Sequence, residues 1–130
     1  MNGHYVKEGC KVLFSNPSGS YMSSSQTIAL SEPLSAQAKG IVLHWQAYIP
    51  GTGVQDYWHN YAFVPRTHAE REPGEGVSML FDCGSYLVIK YVYVGDDWIT
   101  GQVANSDTAY SVQGMKLDNR RLVLTEVLGV

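Results

Sequence analysis

Short apolar stretches that alternate at a period of two constrain this chain more than any other feature. In the clearest stretch, residues 40–48, the two alternating sets are Ile41, Leu43, Trp45 and Ala47, and Val42, His44, Gln46 and Tyr48. A strand places alternate side chains on opposite faces, so this stretch buries one face and leaves the other available. Nearly every such stretch is closed by Gly, Pro, Asn, Asp or Ser, which favour turns. The pattern predicts an all-β protein with little helix.

The turn signals divide the chain into about eight or nine short strands. We expect these strands at residues 11–14, 26–30, 40–49, 56–65, 77–82, 86–94, 98–103, 111–117 and 120–128. Residues 15–25 are predicted to form a loop, and residues 66–76 a polar connection with room for one helical turn. Gly95-Asp96-Asp97 predicts a tight hairpin, because Gly and Asp tolerate the positive φ of two-residue loops.

Regular turn spacing favours an antiparallel β-sandwich or jelly roll, since a parallel sheet would need crossover helices. With 130 residues the chain fits one domain. We predict a short N-terminal segment at residues 1–10 and a single β-sandwich domain at residues 11–130.

Charge and hydropathy argue against two classes of partner. The formal net charge is -3 and the basic residues are scattered, so no basic stripe predicts nucleic-acid binding. No apolar run approaches the roughly 20 residues of a membrane span, and residues 1–11 lack the apolar core of a signal peptide. Cys10 and Cys83 are interpreted as reduced thiols, although they could pair if their strands are neighbours.

Candidate chemical groups are few. His4, His44, His59 and His68 lie at no metal-ligand spacing, and a zinc or copper site would need the fold to gather three of them. We expect hydrogen-bonded or solvated histidines instead. Asp96 and Asp97 are more simply turn residues than calcium ligands. With no nucleophile motif and no phosphate loop, we predict no enzyme, no metal and no cofactor.

Aromatic residues are the best clue to binding. They make up 12% of the chain, nine of them tyrosines, which is too many for a core of this size. Tyr and Trp on exposed strands supply flat apolar area with a polar edge, which suits sugars and protein interfaces. The alternative is a core built from Trp45, Phe63, Phe81 and Trp98, with the tyrosines at the rims of the sheets.

Several strings carry a family resemblance in the right order along the chain. They are GIVLHWQAY at residues 40–48, PGTG at 50–53, YAFVPR at 61–66, KYVYV at 90–94, ITG at 99–101 and RLVLTEVLGV at 121–130. Together they resemble a recurring module of tailed phages and prophages of Gram-positive hosts, over residues 11–130. Such modules typically form the C-terminal part of tail-fibre, baseplate or receptor-binding proteins. The resemblance implies no catalytic residues.

The resemblance implies a tail or baseplate structural protein of the virion, assembled in the bacterial host cytoplasm. We expect it to bind a host-surface receptor, namely a cell-wall saccharide. Exposure patterns, rather than the family, suggest a binding surface that combines Tyr48, Tyr57, Trp58 and His59. One alternative is a purely architectural virion component that binds other tail proteins, and a less favoured one is a cell-wall hydrolase. Fibre tips are usually trimers, and exposed aromatics favour assembly, so a homotrimer is one alternative, and a monomer in isolation is the other.

Overall fold

The chain is mostly β-strand in the computed structural model, which describes residues 11–107, 110–112 and 114–130. The strands are β1 Lys11–Ser20, β2 Thr27–Ala29, β3 Gly40–Ile49, β4 Gly53–Val54, β5 Asn60–Pro65, β6 Gly76–Asp82, β7 Tyr86–Val94, β8 Trp98–Thr100, β9 Tyr110–Val112, β10 Met115–Leu117 and β11 Leu122–Gly129. One α-helix, α1, spans Thr67–Arg71, and short 3-10 helices lie at Leu34–Ala36, Val103–Ser106 and Asn119–Arg121.

The strands form two sheets. The first has the order β1-β11-β3-β4, with β5 also paired to β3, and the second has the order β2-β8-β7-β10-β9, with β6 also paired to β7. Every pairing among the described residues is antiparallel except that of β7 with β10. The prediction of an all-β, sandwich-like fold is confirmed.

One hydrophobic cluster joins the two sheets. Trp45 of β3 is fully buried, and its ring lies 6.4 Å from that of Phe81 on β6. The alternation in β3 is confirmed, because the side chains at its predicted inner positions are at most 1% exposed. Burying a large aliphatic or aromatic side chain contributes about 1.5–3 kcal/mol, so this cluster is the main source of stability. Its fully buried members include Ile41, Leu43, Leu122, Leu124, Val88, Val92 and Ile99.

Strand boundaries differ from prediction where irregular backbone interrupts the pattern. The bounds of β3 and β7 match, and the hairpin at Gly95 forms, with its N–H donating to the carbonyl of Trp98. β1 runs on to Ser20 through residues predicted as loop, with register shifts against β11. Residues 56–59 were predicted as strand but lie outside it. The described residues hold eleven strands, more than the eight or nine predicted. The sequence does not reveal strands as short as the two-residue β4, because they are too short to show alternation.

Two aromatic residues assigned to the alternative core lie on the surface instead. Phe63 is 55% exposed and Trp98 is 36% exposed. On β5 the small residues at 62 and 64 face the core, so Phe63 faces outward. Trp98 lies over Gly95, where no side chain competes for the space. Phe63 and Trp98 are therefore aromatic residues that lie outside the core, as the surplus of aromatic residues predicted for part of them.

Cys83 is buried and is bonded to no other cysteine among the described residues, and burial raises the pKa of its thiol above the ordinary value. Asn60 donates a long hydrogen bond of 3.7 Å to its sulfur. The proposed partner Cys10, like His4, lies outside the described residues.

A buried ammonium group lies at the edge of the core. Lys90 of β7 is fully buried, and its Nζ is 5.2 Å from the centroid of the Trp45 ring. Nζ donates to the backbone carbonyls of Tyr21, Asn105 and Asn119 at 3.3, 2.8 and 2.6 Å. An ammonium has three N–H donors, so these three carbonyls satisfy it completely. The three acceptors lie in separate connecting segments, and one side chain therefore links all of them.

Two buried asparagines reinforce this arrangement from either side of Lys90. Asn119 Oδ1 accepts from the backbone N–H of Ile89, and Asn105 Oδ1 accepts from that of Tyr91. Asn105 Nδ2 also donates to the carbonyls of Met22 and Tyr91 at 2.6 and 2.7 Å. These bonds satisfy backbone groups that would otherwise be buried without partners.

Deleting residues 122–130 should prevent folding, because β11 lies between β1 and β3 in the first sheet. The deletion would remove the buried side chains of Leu122, Leu124 and Val127 from the hydrophobic cluster and unpair both neighbouring strands. We expect insoluble protein on expression, measured against the full chain. A soluble truncated protein with a cooperative thermal transition would contradict this.

Stability should rise with pH above neutrality because of Lys90. Burial lowers the pKa of Lys90 from 10.5 to about 7, and the nearby Asp118 carboxylate opposes the shift. Between pH 7 and 10.5 the unfolded chain therefore binds more protons at this residue than the native chain, so raising the pH disfavours unfolding. We expect the free energy of unfolding, relative to Lys90→Met, to rise by about 1 kcal/mol per pH unit from about pH 7 to about pH 9.

The measurement is urea unfolding of both proteins across that range, with Lys39→Met as the control. Lys39 is exposed, so its replacement removes the same charge without a buried group. An equal pH slope in the full chain and in Lys90→Met would show that the prediction is wrong.

Candidate binding surface

Residues 55–59, which we term the aromatic loop, connect β4 to β5 and carry three of the four predicted binding residues. The backbone N–H of Gln55 donates to the carbonyl of Ala47 at 2.8 Å, and the N–H of Ala47 donates to the carbonyl of Tyr57 at 3.0 Å. These bonds attach the loop to the end of β3. Tyr57, Trp58 and His59 are therefore neighbours on one support.

Tyr48, the fourth predicted residue, has a different neighbour. It lies near the end of β3, and its ring packs edge-to-face against Tyr21 with centroids 5.2 Å apart. Its side chain is half-buried. The contacts of Tyr48 thus point to packing against the Tyr21 segment.

Trp58 adopts a backbone conformation that large residues seldom take. Its φ is +54°, in the left-handed region, and Asn60 Nδ2 donates to its carbonyl at 3.0 Å. Such a conformation costs about 1 kcal/mol or more and persists only where surrounding contacts impose it. Trp58 is half-buried against the hydrophobic cluster. Its anchored side chain and positive φ turn the loop so that Tyr57, at 43% exposure, faces solvent.

An aromatic ladder continues from the loop onto the second sheet. Trp58 packs edge-to-face on Tyr57 at 5.4 Å and on Tyr86 at 6.4 Å between centroids. The guanidinium of Arg121 lies 4.4 Å from the centroid of Tyr86 and donates to its hydroxyl at 3.0 Å. Flat rings edged by polar groups make a surface suited to stacking and hydrogen bonding.

A continuous chain of four titratable side chains joins the loop to the first sheet. Glu126 Oε2 is 2.7 Å from His44 Nδ1, and His44 Nε2 is 2.8 Å from His59 Nδ1. His59 Nε2 is in turn 2.9 Å from Asp56 Oδ1. Every ring nitrogen of the two histidines therefore has a partner.

Along this chain burial is greatest at His44 and falls toward both ends. The side chain of His44 is 8% exposed and that of Asp56 is 96% exposed, with Glu126 and His59 near one-third. His44 projects from the outer face of β3 yet is buried, because Tyr61 stacks on its ring at 4.5 Å. His44, in the middle of the chain, is thus held in place, while the Asp56 end meets water.

The spacing of the two imidazoles fits a proton between them. Two nitrogens bound to one tetrahedral zinc at about 2.0 Å would lie about 3.3 Å apart. The 2.8 Å between His44 Nε2 and His59 Nδ1 is a hydrogen-bond length. The part of the chain that the structure describes holds no group of three or more potential metal ligands.

A second surface feature is an apolar row across the outer face of the first sheet. Val12, Leu128, Val42 and Phe63 are successive cross-strand partners on β1, β11, β3 and β5. Val12 is 57% exposed, and Phe63 is similarly open to solvent. The row therefore presents contiguous apolar area next to the polar chain of His44.

Comparisons with protein-family models, curated proteins and solved structures find no match to this chain. Within residues 11–107, 110–112 and 114–130, no pocket is detected. No helix of these residues has the length and apolar character needed to cross a membrane.

Sequence reasoning missed the partners that the tertiary structure supplies. It singled out His59 but not the contacts of His59 with His44 and of His44 with Glu126. The outward position of His44 on β3 was visible from alternation. The strand register that places Glu126 opposite His44 could not be predicted from alternation, because 82 residues separate them.

Replacing His44 should destabilise the protein more than replacing His59. His44→Ala leaves the partly buried Glu126 carboxylate without its donor and removes the ring that stacks on Tyr61, so we expect a loss of about 2 kcal/mol. His59→Ala removes a more exposed group, and we expect a loss below about 1 kcal/mol. Urea unfolding at neutral pH measures both. Equal losses, or a larger loss for His59→Ala, would contradict the burial argument.

Proposed function

We propose that this chain is a tail or baseplate structural protein of a tailed phage or prophage of a Gram-positive host, and that it binds a cell-wall saccharide. The aromatic loop is the proposed binding element, with Tyr57, Trp58 and His59 as its contact residues. Tyr48 supports the end of β3 through its contact with Tyr21. The order of resembling strings along residues 11–130 supports the class of protein, and the loop supports the ligand.

The observation that carries the proposal is the left-handed backbone conformation of Trp58, with Tyr57 exposed beside it in the aromatic loop. A left-handed Trp58 costs free energy, and stability alone would favour Gly or Asn at that position. Backbone strain of this kind concentrates at functional sites. Here the strain places Tyr57 in solvent beside the ladder formed by Trp58 and Tyr86.

The chemistry of the loop suits a polyhydroxylated ligand. A sugar ring has an apolar face that stacks on Tyr or Trp and hydroxyls that bond to polar side chains at the rim. Asp56 is 96% exposed and His59 about one-third exposed, so both can exchange hydrogen bonds with hydroxyl groups. An open stacking surface with a polar rim is thus available for a polysaccharide.

An architectural role is the second candidate, and the apolar row favours it. Val12 and Phe63 are each more than half exposed, at the two ends of a row that spans four strands. Contiguous exposed apolar area marks protein contacts. Other tail proteins, or copies of this chain in a homotrimer, would be the partners.

Direct binding to cells distinguishes the two candidates. Fluorescently labelled protein is added to intact Gram-positive cells with and without purified wall polysaccharide. Tyr57→Ala is compared with Phe63→Ala, which truncates an exposed aromatic of the apolar row. We expect saturable binding that the polysaccharide competes away, and at least about tenfold weaker binding for Tyr57→Ala, because a central aromatic contact is worth more than about 1.4 kcal/mol.

The matched pair makes each outcome informative. Retention of binding by Phe63→Ala together with its loss in Tyr57→Ala supports the aromatic loop. The reverse pattern assigns binding to the apolar row and rejects the loop. Absence of binding by folded protein of known oligomeric state rejects the saccharide proposal and favours the architectural candidate.

A further inference from the structure

We propose that Glu126, His44, His59 and Asp56 form a pH-sensitive tether for the aromatic loop, closed when the two imidazoles share one excess proton. The tether rests on these four side chains and on their distances, whatever the loop binds. It would make the position of the loop depend on pH.

The proposal follows from a count of protons along the chain. Four groups in line make three contacts, at 2.7, 2.8 and 2.9 Å, and each contact needs one proton to be a hydrogen bond. Ionised carboxylates only accept, so all three protons must come from the two rings. Two neutral imidazoles carry two N–H groups in total. One excess proton is therefore required to complete the chain.

With fewer or more than three ring protons, one of the three hydrogen bonds is lost. With two ring protons, one contact sets a bare nitrogen against another acceptor, and water can most readily replace the contact at Asp56, which is almost fully exposed. With four ring protons, N–H of His44 faces N–H of His59 across 2.8 Å, and like charges repel. The tether then opens in its middle, between His44 and His59.

The surroundings of the pair favour the single excess proton. Among the described residues, the titratable groups in contact with either imidazole are Glu126 on β11, Asp56 in the loop and Tyr61 on β5. Two carboxylates flank the pair, at 2.7 Å from His44 Nδ1 and 2.9 Å from His59 Nε2, so each end of the pair meets a group that can accept a ring N–H. Histidine is the side chain that ordinarily changes charge between about pH 5 and 8, so the device works in an accessible range.

The tether acts on the loop through a definite point of attachment. His59 is a loop residue, whereas His44 and Glu126 lie on paired strands of the first sheet. Losing the contact between the rings leaves the loop held by the packing of Trp58 and by backbone bonds such as that from Ala47 N–H to the carbonyl of Tyr57. Exchange of the Ala47 amide with solvent therefore reports whether the loop is attached.

The test is an NMR titration of the full isotope-labelled chain from about pH 8 to about pH 4, following the imidazole nitrogens. We expect His44 and His59 to respond together in a first step and to take up a second proton in a separate step at lower pH. His68, whose Nε2 lies 3.2 Å from the carbonyl of Val94, is not a member of this chain of contacts and serves as the internal control. The protection of the Ala47 amide should fall about tenfold after the second proton is bound.

A charge-removing variant makes the test specific. Glu126→Gln keeps an oxygen acceptor for His44 Nδ1–H but removes a charge that favours the shared proton, so the first step should move to lower pH. Glu75→Gln removes an exposed charge from a loop and should leave both steps unchanged.

Two results would overturn the proposal. One is independent titration, in which His44 and His59 each take up a proton in a single step of its own. The other is a first step that stays in place in Glu126→Gln. Protection of the Ala47 amide that does not change between the two steps and lower pH would likewise reject a role in holding the loop.

Discussion

The buried amino group of Lys90 is the interaction on which the arrangement of the connecting segments depends. A polar group taken out of water is costly unless its donors are paired, and here three backbone carbonyls lie within hydrogen-bond distance of Lys90 Nζ. Because those carbonyls belong to the segments around Tyr21, Asn105 and Asn119, the cost of burial is offset only when all three segments are in place. The side chain of Lys90 thus makes the positions of these three segments depend on one another.

Adjacent residues of β3 connect this core to the proposed binding surface. Trp45 faces inward, where Lys90 lies over its ring, and His44 faces outward, where it meets His59 and Glu126. The strand alternation that builds the core therefore also positions the anchor of the aromatic loop. The left-handed Trp58 is sustained by the same anchor and by its packing against the cluster. The core and the proposed binding surface therefore both depend on β3.

Local patterns predicted some elements well and others poorly, for identifiable reasons. β3 was predicted to the residue because its alternation is long and uninterrupted, and β7 because the Gly95-Asp96-Asp97 turn marks its end. Residues 56–59 read as strand because they are rich in aromatics, but a positive φ at Trp58 breaks the extended backbone there. Phe63 was assigned to an alternative core by its size, whereas the phase of β5 turns it outward. Composition alone does not reveal which face of a strand is buried.

The sequence by itself determined the all-β class, the principal strands, the hairpin at Gly95 and the surplus of aromatic residues, because each depends on periodicity or on neighbouring residues. Only the tertiary structure decided that His44 lies between Glu126 and His59 and that Lys90 is enclosed by three carbonyls. These contacts join residues 82, 15 and as many as 69 positions apart. Their formation depends on strand register and loop path, which the packing of the two sheets selects and which no local pattern specifies.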